Sequence, residues 1–290
     1  MLAFSSLLGN VEGQNIYRIW YDKPASYWEE ALPVGNGRIA AMVFGNPQLE
    51  QIQLNEETVS AGSPYQNYNE EAKTALPEMR RLIFEGKYEE AQNMAATKIL
   101  SQVGNEMPYQ TVGRLNIRYP DHKKVNNYYR DLDISNAVAV TRYEVDGVEF
   151  TEETFASFTD QLVIRHIKAS KPGTINCELF FNTPMRDPKR SIYGKKGLRL
   201  EGITHGSRYF SGKVHYCADL DVKHKGGKVI TANDTLLSVQ GASELTLYIS
   251  MATNFVNYKD ISGDPYQRNK AYLKNACLLY TSDAADDMQC

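Results

Sequence analysis

Alternation of apolar and polar residues recurs along this chain and limits its fold more than any other feature. Leu245, Leu247, Ile249 and Met251 occupy every second position of one segment, and the same period of two recurs at residues 213–222. Successive residues of a β-strand point to opposite faces of the sheet, so this pattern gives each strand one apolar face. Such segments, separated by Gly, Asn, Asp and Pro, predict a mainly β chain folded as a large antiparallel β-sandwich.

Residues 138–151 predict a β-hairpin that fixes the register of two of these strands. Asp146 and Gly147 form the two-residue turn, since both residue types tolerate a positive φ. In that register Tyr143 lies opposite Phe150, which places two aromatic rings on the face that turns toward the core.

The period changes to that of an amphipathic helix between residues 70 and 100. Pro77 is expected in the first turn of one helix and Gly86 at its end, because proline lacks an N–H donor and glycine accepts a positive φ. A second helix is expected at residues 88–99. The sequence therefore predicts a small helical hairpin inserted into the β chain.

Charge and hydropathy exclude several classes of partner. The 290 residues include 32 basic and 35 acidic side chains, giving a net charge of -3 without a long block of one sign. Neither nucleic acid nor an anionic membrane is therefore favoured as a partner. No apolar run approaches the ~18 residues of a membrane span. Residues 1–14 read either as a truncated secretion signal, which favours a periplasmic or secreted protein, or as a frayed start.

Cysteine and histidine spacing gives no metal site. None of these residues forms a pair at the spacing of zinc ligands, so we expect no metal and no cofactor. The residues are Cys177, Cys217, Cys277, Cys290, His122, His166, His205, His215 and His224.

Residues 35–40 fit the loose dinucleotide fingerprint Gly-x-Gly-x-x-Ala, but their context does not. That fingerprint needs a helix after the glycines to present N–H groups to a pyrophosphate, whereas residues 38–44 read as a strand. The sequence therefore favours a tight turn here and no nucleotide.

A polar cluster follows the strand that ends near residue 54. Asn55, Glu56 and Thr58 stand close in sequence to Tyr65 and Tyr68. Amide and carboxylate groups can bind sugar hydroxyls, and flat rings can stack on a pyranose face. The cluster is thus a candidate substrate-facing site, and a solvated loop is the alternative.

Several stretches in chain order resemble the bacterial α-L-fucosidases of glycoside hydrolase family 95. They are residues 20–25, 28–45, 51–58, 76–88, 109–115, 129–133, 142–148 and 252–260. The sequence departs from the commoner family pattern at Glu57, at Val59 and at residues 60–62, where Ser-Ala-Gly replaces Trp-Ser-Gly.

The resemblance implies a metal-independent, inverting exo-glycosidase that removes terminal, typically 1,2-linked α-L-fucose from glycans. Some relatives prefer α-L-galactosyl groups. In the family the catalytic acid and the water-activating residues belong to an (α/α)6 barrel encoded downstream, so no catalytic residue is assigned in this chain. Asn55, Glu56 and Thr58 are expected to face that barrel and a fucosylated glycan within it.

The resemblance also implies a division of the chain. Residues 1–14 would be a truncated signal peptide, 15–263 the N-terminal β-sandwich domain and 264–276 the start of a linker helix. Residues 277–290 resemble the in-frame translation of a sequencing adapter and are expected to add nothing to the fold. A fragment without the barrel is expected to be inactive. A stand-alone carbohydrate-binding or scaffold module is the alternative function.

Overall fold

Two antiparallel sheets form the protein, as the alternating pattern predicts. The computed structural model describes residues 17–65, 67–101, 107–185, 187–206 and 210–279, and side chains as far as residue 274. Within these ranges the strands form one nine-stranded and one seven-stranded sheet, and all recorded strand pairs are antiparallel.

The strand order shows how the chain alternates between the two sheets. The nine-stranded sheet has the order β1 (Arg18–Tyr21), β6 (Asn126–Asp133), β7 (Val138–Val145), β8 (Val148–Ser157), β9 (Leu162–Ala169), β16 (Glu244–Thr253), β13 (His215–Lys225), β12 (Gly197–Ile203) and β11 (Lys189–Tyr193). The seven-stranded sheet has the order β14 (Lys228–Asn233), β15 (Leu236–Ala242), β10 (Ile175–Asn182), β5 (Gly113–Arg118), β4 (Leu49–Glu56), β3 (Ile39–Val43) and β2 (Leu32–Gly35).

The hairpin β7–β8 has the predicted register. Tyr143 pairs with Phe150 on the core side, and both side chains are buried. Asp146 and Gly147 have φ values of 50° and 75°, as a two-residue hairpin turn requires. The glycine-rich segment before β3 is likewise a turn between the strands β2 and β3, so the nucleotide motif is rejected on structure as well.

The helical insertion is present, with one correction. It consists of α1 (Ala72–Phe84), α2 (Tyr88–Met94) and a π-helical turn at Ala95–Ile99. The expectation for Pro77 was wrong, since this residue lies inside α1 and not in its first turn. Pro77 is exposed, so water can bond the carbonyl that its missing N–H leaves free. Gly86 ends α1 with a φ of 74°, as predicted.

One large apolar cluster fills the space between the sheets. Strands β13 and β16 supply its centre, where the alternating residues of β16 are fully buried. Cys177 of β10 belongs to the same cluster, and burial raises the pKa of its thiol well above the ordinary range.

A buried ionic group interrupts this apolar core. The Arg165 guanidinium bonds the Glu152 carboxylate and lies 3.5 Å from Oε2 of Glu50. Tyr119 and Tyr143 donate their hydroxyls to Oε1 of Glu152 at 2.7 and 3.0 Å. These partners compensate charges that would otherwise be very unfavourable inside a protein.

Helix α3 (Pro265–Leu279) covers the outer face of the nine-stranded sheet. Its Leu273 is only 5% exposed and packs with Leu162, Ile164 and Tyr248. Leu273 therefore belongs to the contact between helix and sheet and is not part of an exposed apolar surface. The outward residues of β9 and β16 at this place are apolar and need such a cover.

Candidate functional site

Strands of both sheets end on one side of the sandwich, and the segments that follow them contact one another. We call this side the loop end; it comprises residues 36–38, 57–62, 107–112, 157–161, 204–206, 210–214 and 254–264. The Glu57 N–H donates to the Arg38 carbonyl at 2.9 Å, and the Asn36 side chain donates to the Ser157 carbonyl at 2.8 Å. The loop end therefore joins segments that are far apart in sequence.

Glu56 and Thr58 form one hydrogen-bonded group at the loop end. Glu56 is only 4% exposed, and its Oε2 accepts the Thr58 N–H at 2.8 Å and the Thr58 hydroxyl at 2.7 Å. The Thr58 hydroxyl also contacts the hydroxyl of Thr253 at the end of β16. This group ties the ends of β4 and β16, and hence the two sheets, together.

Arg38 completes this group from the other side. Its Nη1 donates to Oε1 of Glu56 at 3.3 Å and to the Met251 carbonyl at 2.9 Å. Its Nε donates to Oε1 of Gln161 at 2.6 Å, and its guanidinium lies 4.8 Å from the ring centre of Tyr272 on α3. A guanidinium suits this place because its several donors point in fixed, divergent directions.

Asn55 does not belong to this group, although it precedes Glu56. Alternation along β4 turns Asn55 toward the outer face of the seven-stranded sheet, while Glu56 turns inward. The Oδ1 atom of Asn55 accepts the Tyr109 hydroxyl at 3.2 Å. The structure thus brings two of the three candidate residues together and separates the third.

Burial changes the acid–base properties of this region. It raises the pKa of Glu56, while the Thr58 hydrogen bonds and the Arg38 charge oppose the rise. Burial and the nearby Glu56 carboxylate raise the pKa of Tyr109 to about 12, so that this phenol stays neutral and able to donate. The region thus combines one buried carboxylate with the Arg38 cation and with the neutral donors of Thr58 and Tyr109.

Aromatic rings lie at the loop end and in the segment that follows residue 62. Tyr65 stacks on Phe210 with ring centres 5.8 Å apart, and Tyr68 is 65% exposed. Exposed rings next to an amide are the combination that binds the apolar face and the hydroxyls of a sugar. Sugar binding by this segment stays a prediction.

Sequence reasoning missed Arg38, Gln161 and Thr253. Arg38 was read only as the first residue of a strand, and its partners Gln161 and Met251 lie more than a hundred residues away in sequence. The available signal was the position of Arg38, a charged residue directly between the Asn36–Gly37 turn and the apolar strand β3.

The described residues contain no group of three or more His, Cys, Asp or Glu side chains that could hold a metal ion. Within the same part of the chain, no helix is long and apolar enough to cross a bilayer.

Comparison with known proteins identifies the family. Residues 19–258 match the family model described as "Glycosyl hydrolase family 65, N-terminal domain". The chain belongs to this family. As a member it is the N-terminal β-sandwich domain of a glycoside hydrolase, which is the class that its sequence motifs indicate.

Three relatives of this chain carry the name of an α-fucosidase. "Alpha-L-fucosidase 2" of Arabidopsis thaliana is 31% identical over 84% of this chain and 31% of its own length. "Probable alpha-fucosidase A" is 26% identical in Aspergillus niger, over 82% of this chain and 30% of the relative. The Aspergillus oryzae protein of the same name is 25% identical over 90% of this chain and 36% of the relative. This domain thus spans about a third of the length of these relatives.

Proposed function

We propose that this chain is the non-catalytic N-terminal domain of a family 95 α-L-fucosidase that removes terminal, 1,2-linked α-L-fucose with inversion. The observation that carries the proposal is the alignment with the Arabidopsis α-L-fucosidase over 84% of this chain. The co-linear motifs from residue 20 to residue 260 support family 95 in particular. The whole enzyme would be periplasmic or secreted, where fucosylated glycans are accessible.

The surroundings of the Glu56 carboxylate support the proposal that the isolated chain does not hydrolyse glycosides. Inverting hydrolysis needs an acid and a base about 6.5–9.5 Å apart, both free to reach the substrate or a water. At the loop end Glu56 is buried and already accepts hydrogen bonds from Thr58 and Arg38. Its arrangement suits bracing the sandwich more than proton transfer.

An (α/α)6 barrel is the proposed intramolecular partner, and the loop end is its proposed contact surface. Asn55 with Tyr109 and Tyr65 would face the glycan bound by the barrel, because these side chains are accessible. Glu56 and Thr58 would not contact the glycan; they would fix the position of the segment that carries Asn55.

The activity test uses the purified 290-residue chain with 4-nitrophenyl α-L-fucoside and α-L-fucosyl-(1→2)-lactose. We expect no release of fucose, since removing general acid–base groups alone costs on the order of 10²–10⁴-fold each. Arabidopsis α-L-fucosidase 2, assayed in parallel, is the positive control. Clear turnover by the chain itself would contradict its proposed non-catalytic role.

The contact surface can be tested in the same full-length Arabidopsis enzyme. Replacing the residue aligned with Asn55 by alanine should raise KM several-fold with little change in melting temperature. Replacement at the position aligned with Gln53, on the same face of β4 but farther from the loop end, is the matched control. An unchanged KM for the first variant would remove Asn55 from the substrate-facing surface.

A further inference from the structure

The hairpin formed by β14 and β15 carries a sequence motif that the proposed function does not explain. Asn233, Asp234 and Thr235 form an Asn-x-Thr triplet, the motif to which N-linked glycans are attached. It is the only Asn-x-Ser/Thr triplet of the 290 residues. A triplet of this kind can arise by chance, so its place in the fold has to show whether it can carry a glycan.

The triplet lies on an exposed turn. β14 ends at Asn233 and β15 begins at Leu236, and these two residues pair with each other, so that Asp234 and Thr235 form a two-residue turn. Within the described residues β14 is an edge strand of the seven-stranded sheet, and Asn233 is exposed. Glycosylated asparagines lie on the protein surface because the attached sugars are bulky and hydrated. The position of Asn233 meets this requirement.

The hydrogen bonds of the turn leave the reactive atom of Asn233 free. Oδ1 of Asn233 accepts the Thr235 N–H at 2.9 Å and the Thr235 hydroxyl at 3.0 Å. The Nδ2 atom, to which a glycan would be joined, makes no hydrogen bond to any described residue. An N-glycosidic bond leaves the amide carbonyl intact, so both hydrogen bonds of Oδ1 can persist after modification. The folded hairpin can therefore carry the product of the reaction.

A purely structural role would explain only part of this arrangement. An asparagine often stabilises a turn by accepting the N–H two residues later, and aspartate or serine can accept it as well. The turn thus uses only the side-chain oxygen of Asn233. Attachment of a glycan needs the Nδ2 atom too, together with the Thr235 hydroxyl that the triplet requires. The two roles can be separated by Asn233→Asp, which keeps an acceptor oxygen and removes the nitrogen.

We propose that Asn233 is an attachment site for an N-linked glycan. In this step Nδ2 forms a bond to the anomeric carbon of an oligosaccharide that is carried on a polyprenyl diphosphate. The bond from that carbon to the diphosphate oxygen breaks, the polyprenyl diphosphate leaves, and Nδ2 loses one proton. The proposal rests on the secreted location proposed above and not on the sugar that the whole enzyme removes. It also implies that solvent, and not the proposed barrel, surrounds this hairpin.

The test is cell-free translation of the 290-residue chain, behind a cleavable secretion signal, with microsomes that contain an oligosaccharyl transferase. We expect the protease-protected chain to show one increase in apparent mass, which peptide N-glycosidase reverses while converting Asn233 to aspartate. Asn233→Asp and Thr235→Ala should abolish the increase, and Thr235→Ser should retain it.

Asn257→Gln is the matched control and should leave the increase in mass unchanged. Asn257 is also exposed, and its Oδ1 accepts the N–H of the residue two positions later, Lys259, at 2.9 Å. Lys259 stands where the triplet requires a hydroxyl, so this turn has the same hydrogen bond without the motif.

Stability provides the second measurement. The glycosylated chain should melt at the same temperature as the chain from which the glycan has been removed, because the turn keeps its hydrogen bonds. Absence of the mass increase in the protease-protected parent chain, or an increase that Asn233→Asp retains, would overturn the proposal, as would a clear fall in melting temperature on glycosylation. Absence of fucosidase activity in the whole enzyme would leave the glycan site standing and remove only the proposed substrate.

Discussion

Arg38 holds the loop end together through donors that reach three separate parts of the chain. Its partners are Glu56 of β4, Gln161 just before β9 and the Met251 carbonyl of β16. Glu56 has no other cation in contact, within the described residues, to compensate its buried carboxylate. The stability of this end therefore depends on one side chain.

Arg38→Ala should lower the free energy of unfolding by about 2–3 kcal/mol, because it leaves the Glu56 carboxylate buried without a counter-charge. Urea denaturation followed by circular dichroism measures this change. Adding Glu56→Gln to the Arg38→Ala variant should restore part of the stability, since a neutral amide is less unfavourable there. If the double variant is no more stable than the single one, the charge argument fails.

Glu50 makes the stability depend on pH. Burial raises the pKa of this carboxyl from 4.5 to about 7. The folded protein therefore keeps a proton that the unfolded chain releases between pH 4.5 and 7. By linkage, the contribution of Glu50 is fully present below pH 4.5, declines as the pH rises toward 7, and is constant above that range.

The measurement is urea denaturation of the parent chain and of Glu50→Gln from pH 4.5 to 8. The difference in unfolding free energy between them should move against the parent chain as the pH rises, and level off above about 7. The comparison is needed because burial lowers the pKa of His122 and His166, which act in the opposite direction below pH 6.5. Parallel pH curves for the two proteins would contradict the role of Glu50.

At the scale of elements, helix α3 is bound to the nine-stranded sheet by specific polar and apolar contacts. Asp264 accepts the N–H groups of Tyr266 and Gln267 at 2.8 and 3.1 Å, which caps the start of the helix. Asn269 is fully buried and links the helix to Ser250 of β16 at 2.7 Å. A chain that ended near residue 266 would lose these contacts and expose the apolar face beneath them.

Leu273→Ala should lower the free energy of unfolding by about 2–5 kcal/mol, the usual range for a leucine-to-alanine change at a buried site. Lys274→Ala, at the exposed neighbouring position, is the control and should change stability by less than about 0.5 kcal/mol. Thermal and urea unfolding of both variants test the difference. Equal stabilities would mean that α3 does not pack on the sheet in solution.

The elements differ in how well their sequences predict them. Strand β16 has an uninterrupted alternating pattern and was predicted, as was the β7–β8 hairpin from its Asp-Gly turn. Strand β6 was not predicted, because its buried positions carry Arg130, Asp131 and Asp133. Arg130 donates to backbone carbonyls, and the two aspartates pair with Arg18. The hydrophobicity pattern of one segment carries no information about such partners, because they lie elsewhere in the chain.

At the scale of the whole molecule, the two sheets share a single large core cluster, to which β10 and β16 both contribute. Leu179→Ala on β10 and Leu247→Ala on β16 should each cost about 3 kcal/mol and shift one common unfolding transition. Near-ultraviolet circular dichroism reports tertiary packing, and far-ultraviolet circular dichroism reports the strands. Separate midpoints for the two signals would show that the sheets unfold independently.

The general architecture was predictable from sequence, whereas the arrangement of the loop end was not. Alternation predicts how many faces must be buried, and turn residues predict where strands end. Contacts such as Thr58 with Thr253 depend on which strands become neighbours across the two sheets. The separation of Asn55 from Glu56 follows from β4 extending as far as Glu56, two residues beyond the expected strand end.

The order of strands bears on whether copies of this protein aggregate through their sheet edges. Within the described residues, β1, β11, β14 and β2 are the edge strands of the two open sheets. Unpaired backbone on such an edge can pair with a strand of another molecule. Pro33 removes a donor from β2, lysines begin β11 and β14, and β1 is only four residues long. Each edge strand thus carries a feature that disfavours pairing with a strand of another molecule. The sheet edges are therefore protected against the edge-to-edge pairing by which fibrils grow.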